Sequence, residues 1–280
     1  MLSHGIWKYI GPTSLGSVYA IVKMLSIRAL DYELAIAHDF TYQFLAGILL
    51  GFSLRPVVSQ IYWKRITSIL FFLLFLLILG PFGQLLRYRV WGISYDDTFW
   101  LLFFSEIIAS FAVSILATIL LPFTEQENIS IGLLWKRCKK ELHFLGFTKI
   151  FGCSLLYALS FVIFQSFFDE SISSGSLVRR MGELLSLPPI SSQERVLLLL
   201  LQGTLNILIM LPLFIFFHRE KMELIVVLGS LSFIVAVFSP AFANFQRIEP
   251  LLLFDQVFIG FCLHFVFVTG SVFCFGRNKK

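Results

Sequence analysis

Short charged clusters cut this chain into apolar runs, each close to the ~20 residues that an α-helix needs to cross about 30 Å of hydrocarbon. Seven such runs cover about Ala35–Leu54, Ile66–Leu86, Thr98–Phe123, Phe144–Phe168, Val196–Phe217, Leu224–Phe242 and Leu251–Phe275. Within hydrocarbon every backbone N–H and C=O must be paired inside the protein, which admits only helices and closed barrels. Runs such as Ile69–Leu79 do not alternate polar with apolar residues, as barrel strands would. The fold class read from the sequence is therefore all-α, a polytopic transmembrane helix bundle. Composition agrees: 58% of residues are hydrophobic and 14% charged, where soluble domains carry about 25% charged. Segments between the runs are too short for a soluble domain, so residues 1–280 read as one integral membrane domain. Neither half of the sequence reads as a copy of the other.

An eighth segment, Gly11–Arg28, is apolar but holds Lys23 and several serines. Its apolar residues Leu15, Val18, Val22, Leu25 and Ala29 share a face, with Lys23 elsewhere. Two readings stay open: a span whose Lys23 points into the bundle, or a helix lying at the interface.

Basic residues set the orientation, because cytoplasmic connections carry an excess of Lys and Arg. Arg55, Lys64, Arg65, Lys136, Arg137, Lys139, Lys140, Arg219, Lys221, Arg277, Lys279 and Lys280 gather on one side. Asp96, Asp97, Asp169, Glu170, Glu183 and Glu249 fall on the other, beside fewer arginines. The expectation is an integral protein of the plasma (inner) membrane with a cytoplasmic C-terminus. The net charge of +5 follows from this asymmetry and points to no nucleic acid. The four cysteines form no C-x-x-C pair, so neither a metal knuckle nor a disulfide framework is indicated.

Glu106 lies inside the run Thr98–Phe123. A carboxylate there must be protonated, paired or facing water, which makes it a candidate functional residue. At 1.5 Å of rise per residue it sits roughly 12 Å below the outer boundary. Gln202 and Asn206, four residues apart on one helix face, sit at roughly 9 Å and roughly 15 Å, and Asp255 at roughly 6 Å. Lys23, if its helix spans, is level with Glu106. These five residues, Glu106, Asn206, Gln202, Asp255 and Lys23, form the candidate substrate-binding or coupling set. Glu106 paired with Lys23 merely to fix packing is the competing reading. His264 is deeper and on the opposite helix face from Asp255, and His38–Asp39 reads as an interface cap.

Other features concern packing and docking. Gly47–Gly51 is a G-x-x-x-G pattern that permits close helix approach. Ser105, Ala109 and Ala112, with Ser110, Ser114 and Ala117, give the Glu106 helix two small-residue seams. Pro81, Pro122, Pro212 and Pro240 read as kinks or terminations near span ends. Thr124–Glu127 and Ser191–Glu194 fit the S/T-x-x-E/Q capping box. A helix after the first box would carry Ile131, Leu134, Trp135 and Cys138 on one face, flanked by Lys136, Arg137, Lys139 and Lys140. Such a basic amphipathic helix suits anionic lipid or a protein partner or second copy. Another amphipathic helix is expected around Leu177–Leu185.

No zinc-protease, serine-hydrolase or nucleotide-binding motif occurs, and no cofactor is implied. Three functions fit. The first is a transporter or permease-like protein with its polar site around Glu106. The second is a non-catalytic subunit of a larger membrane complex. The third is an interfacial enzyme using Arg87, Arg89, Asp96 and Asp97.

Overall fold

Lipid tails are as apolar as Leu or Phe, so helices inside a bilayer associate through close packing of small residues and through polar contacts. Both devices are visible in the structure, a computed structural model. It describes residues 2–30, 40–61, 63–90, 97–121, 130–141, 144–171, 191–217, 220–243 and 250–276. Eight helical spans make up a multi-pass bundle, each long and apolar enough to cross a membrane. The first is α1 (Leu2–Leu30) and the second α2 (Phe40–Val58). The third is α3 (Arg65–Leu77), a π-helical turn (Ile78–Phe82) and α4 (Gly83–Val90). The fourth is α5 (Asp97–Leu120), after which α6 (Ile131–Glu141) is the short amphipathic helix. The fifth is α7 (Phe144–Ser171) and the sixth α8 (Ser192–Phe216). The seventh is α9 (Lys221–Phe233), a second π-helical turn (Ile234–Phe238) and α10 (Ser239–Ala243). The eighth is α11 (Pro250–Phe275).

The ambiguous first segment is thus a span. Lys23 faces the bundle, and α1 packs most closely on α2 and α5. Gly47 and Gly51 do what their spacing predicts. A Cβ on Gly47 would strike the backbone of Gly16, and one on Gly51 would strike Pro12. The helices α1 and α2 therefore cross backbone to backbone. The small residues of α5 are buried where it meets α1 and α3. At the face that holds the chain termini, Trp63 closes the core, edge-on to Phe71 at 5.1 Å and to Phe216 at 5.5 Å.

Spans one to four and spans five to eight repeat one packing scheme. In each half the first span packs on the second and fourth, and the third packs on the fourth. The third span of each half then reaches across to the second span of the other: α4 to α8, and α9 and α10 to α2. Both of these crossing spans consist of a helix of 13 residues followed by a π-helical turn of 5. The two π turns touch one another. Small residues correspond as well. Gly203 of α8 lies against Ser154 and Tyr157 of α7, as Gly47 of α2 lies against Gly16 and Tyr19 of α1. Because each half has an even number of spans, the two have the same orientation, so this is a parallel repeat. The sequence conceals it, since beyond matches such as Gly47 with Gly203 and Tyr19 with Tyr157 paired positions hold different residues, as Gly16 and Ser154 do.

Prolines explain the π turns. Pro has no N–H, so it leaves the carbonyl four residues earlier without its helical donor. Pro81 does this to Leu77, and the chain responds with a break at Gly80 (φ −80°, ψ −105°). Pro240 does it to Ala236, inside the second π turn. Pro212, by contrast, is carried within α8, which continues to Phe216.

The α1–α2 crossing gives a stability prediction. Gly16→Leu should lower stability by about 1–3 kcal/mol or prevent assembly, since overpacking a tight contact forces backbone shifts. Gly152→Ala, where an added Cβ would meet nothing within 4 Å, should change it by less than about 1 kcal/mol. Reversible unfolding in mixed detergent micelles would read both.

Candidate functional site

Four side chains from three spans meet between α1, α5 and the seventh span. Lys23 and Tyr19 are four residues apart on α1 and therefore share a face. The Lys23 ammonium is ion-paired with the Glu106 carboxylate on α5. It also donates to the Tyr19 hydroxyl at 3.0 Å. That hydroxyl lies 3.0 Å from each Glu106 oxygen and 3.2 Å from Ser239 Oγ on α10. The Lys23 side chain is 4% exposed and that of Glu106 13%. Effective dielectric is low in such a place, so the pair attracts strongly, but each charge also gives up its hydration. The phenol matters here. It gives the ammonium a second acceptor and the carboxylate a second donor, the hydrogen bonds that a buried pair needs to survive desolvation.

A second polar cluster occupies the corresponding place in the other half. Arg87 on α4 is buried, and its Nη2 donates to the carbonyl of Ala236, the one that Pro240 leaves without a helical donor. Tyr157 of α7 lies close enough to Arg87 to interact with it electrostatically. The Tyr157 ring stands edge-on to His264 of α11, with centroids 6.2 Å apart. His264 Nδ1 is 2.6 Å from Ser232 Oγ on α9. Gln202 on α8 donates to the carbonyl of Gly83 at 3.4 Å, and Asn206 is buried one turn further along the same face.

The five candidate residues therefore do not make one site. Lys23 and Glu106 belong to the first cluster, and Gln202 and Asn206 to the second. Asp255 lies on α11, but its side chain is outside the described residues. The clusters are neighbours nonetheless, because Ala236 and Ser239 are three residues apart on one span. Residue-by-residue reading missed Tyr19, Ser239, Tyr157 and His264 as members of these clusters. The available signals were the four-residue spacing of Tyr19 and Lys23 and the matched tyrosines of the two halves.

Of the expected interfacial group of Arg87, Arg89, Asp96 and Asp97, only the two arginine side chains are described, and they part company. The third span continues past Leu86 to Val90, which carries Arg87 into the protein, where a helix carbonyl accepts from it. Arg89 pairs with Glu194 at 3.0 Å. Asp96 lies outside the described residues, and Asp97 opens α5 with its side chain outside them. Ser191 caps α8 as expected, accepting from the Glu194 N–H at 3.1 Å. Residues 122–129, with the other capping box, lie outside the described residues, as do His38, Asp39 and the segment 172–190.

The basic helix forms at Ile131–Glu141, but its apolar residues do not share one face. Leu134 and Cys138 turn to the bundle, Cys138 packing with Leu211 and Ile215. Ile131 and Trp135 turn outward, Trp135 being 65% exposed. At 3.6 residues per turn, 131 with 135 and 134 with 138 make two adjacent stripes. Lys136, Arg137, Lys139 and Lys140 are exposed beside them, and the Arg137 guanidinium lies 5.2 Å over the Phe216 ring.

Comparison with protein-family models, with curated proteins and with solved structures returns no match. The function must therefore be argued from these clusters.

Because removing one partner leaves an uncompensated buried charge, Lys23→Met or Glu106→Gln alone should cost about 3–5 kcal/mol. The double variant, with no charge to bury, should recover most of that loss. A double-mutant cycle on unfolding in micelles would measure the coupling.

Proposed function

We propose that this protein is a transporter of permease type, in which two four-span halves enclose a polar site and the Lys23–Glu106 pair opens and closes with the transport cycle. One observation carries the reading: the third span of each half is broken at the same place. Helices interrupted at corresponding positions of two repeats are the mark of a substrate site in repeat-built transporters. Here the breaks touch one another and have buried ionisable residues on both sides. Such residues inside a bilayer are costly and ordinarily serve an ion or substrate path. The asymmetry of lysine and arginine supports placing the termini and α6 in the cytoplasm. The polar clusters then lie toward the opposite leaflet.

Docking as a subunit of a larger complex is the second reading. It draws on the exposed stripe of Ile131 and Trp135 with the cations beside it. That stripe equally suits the inner leaflet, where anionic head groups attract basic amphipathic helices. The enzyme reading loses two of its four groups, since Arg87 is buried against Ala236 and Arg89 is paired with Glu194.

The test is solute uptake by proteoliposomes offered a defined mixture of amino acids, organic acids, sugars and phosphate, with mass-spectrometric readout. The wild type should accumulate a solute that the double variant Lys23→Met/Glu106→Gln does not, although the variant is stable. Equal accumulation by both would reduce the pair to packing, and none by the wild type would exclude transport of these solutes. A reporter fused to the C-terminus should be active in the cytoplasm.

A further inference from the structure

We propose that Arg87, Tyr157, Gln202, Asn206 and His264 form a buried receptor for a small oxyanion, a carboxylate or phosphate that also carries a hydrogen-bond donor. The inference deepens the transport reading by naming a ligand class, and rests on that reading only for the claim that the bound solute crosses.

Charge is the first argument. Arg87 is 7% exposed, and among the described residues no carboxylate pairs with it. Its described bond is to a backbone carbonyl. A guanidinium is charged at any physiological pH, and an uncompensated buried charge costs several kcal/mol. The other half shows how this fold satisfies such a cation. There Tyr19 stands between the Lys23 ammonium and the Glu106 carboxylate. In the second half Tyr157 stands beside Arg87, and its neighbour on the fourth span of that half is His264. A cation and a phenol are present, and the carboxylate is the missing partner.

The second argument is hydrogen bonding. Arg87 Nη1, the Tyr157 hydroxyl, Gln202 Oε1, both amide atoms of Asn206 and His264 Nε2 are buried without a hydrogen-bond partner. Native interiors leave only a few such groups per hundred residues. Here they fall on five residues of the third, fifth, sixth and eighth spans: Tyr157 stands beside Arg87 and His264, Gln202 reaches Gly83 one turn before Arg87, and Asn206 follows Gln202 by one turn of α8. Ser232 Oγ and His264 Nδ1 share a hydrogen bond in either direction; the receptor uses the tautomer in which Ser232 donates and the ring proton sits on Nε2. Arg87 Nη1, Tyr157 OH, Asn206 Nδ2 and His264 Nε2 are then donors for oxyanion oxygens. Gln202 Oε1 and Asn206 Oδ1 are acceptors, which a bare anion would leave unsatisfied. A hydroxy acid, an amino acid or hydrogen phosphate supplies both kinds of group.

Shape agrees. Gly83 and Arg87 are four residues apart in α4, so they lie on one face of it. A Cβ on Gly83 would lie 3.6 Å from Gln202 Nε2 and 3.8 Å from Arg87 Nη1, whereas one on buried Gly80 would meet nothing within 4 Å. The interior at Gly80, inside the π turn, is thus left unfilled. Water alone could also satisfy these groups, but water does not neutralise a guanidinium.

The test uses the full chain in phosphatidylcholine nanodiscs in Tris–chloride, with sodium lactate or sodium phosphate titrated at constant ionic strength. One of the two should raise the unfolding temperature saturably, by about 5 °C or more at a hundredfold excess over its dissociation constant. The two probes separate a carboxylate site from a phosphate site. Arg87→Gln should abolish the response. Asn206→Leu, which keeps the branched outline of the side chain and strands no charge, should shift half-saturation at least tenfold, and it decides the matter where Arg87→Gln does not assemble. No rise beyond that with chloride, or half-saturation unchanged in Asn206→Leu, would show a merely hydrated cluster and overturn the proposal. A response sensitive to Asn206→Leu with no solute uptake would leave the receptor standing and the transport reading refuted. Uptake without any response would do the reverse.

Discussion

The carbonyl of Ala236 is where the two halves of this bundle are fastened together. Pro240 removes its helical donor, and in a bilayer no water replaces that donor. The group that does so, Arg87, comes from the other half and from the span that is itself broken by Pro81. One missing N–H therefore accounts for three features at once. It accounts for the π turn in the seventh span, for an arginine drawn into the interior of the bundle, and for contact between the two interrupted helices. Ser239, one turn beyond, then reaches the Tyr19 hydroxyl. Both polar clusters are built against this single irregular stretch of backbone.

The clusters solve the same electrostatic problem differently. In the first, cation and anion both belong to the protein, and a phenol hydrogen-bonds to each. Such an arrangement is a poor source of stability, because desolvation of two ions offsets most of their attraction. Its retention in an otherwise apolar helix pair is better explained by use than by stability. In the second, the cation is held by a neutral carbonyl and surrounded by amide, phenol and imidazole groups. Alike in position and unlike in charge, the two sites divide the polar interior into a closed pair and an incompletely satisfied one.

The spans were legible from hydropathy, because hydrocarbon thickness fixes both the length and the composition of a crossing helix. Glu106 and Lys23 were legible as a pair at one depth, since rise per residue gives depth once orientation is known. The close approach at Gly47 and Gly51 was legible from spacing alone. Depth says nothing about which helices touch, however, and so Gln202 was grouped with Glu106 although it reaches Gly83, one turn before Arg87. Arg87 itself was placed outside because a charge ordinarily ends a span. Here Pro240, which reads from sequence as a kink or a helix end, instead frees a carbonyl that accepts from the guanidinium and holds it within the bundle. The repeat was hidden for a related reason: contact geometry is shared between the halves where residue identity is not.

The π turns carry one further consequence. A π turn holds one residue more than an α turn, and absorbing that residue into regular helix advances the distal piece by 1.5 Å and swings it by about 100°. Arg87 and Ser239 both lie beyond the bulge of their own helix. A change of register in either span would therefore re-aim a polar group by more than a quarter turn without moving the long helix before it. Because the two bulges lie in contact, neither can change register without disturbing the other, and the two halves share a single mechanical joint.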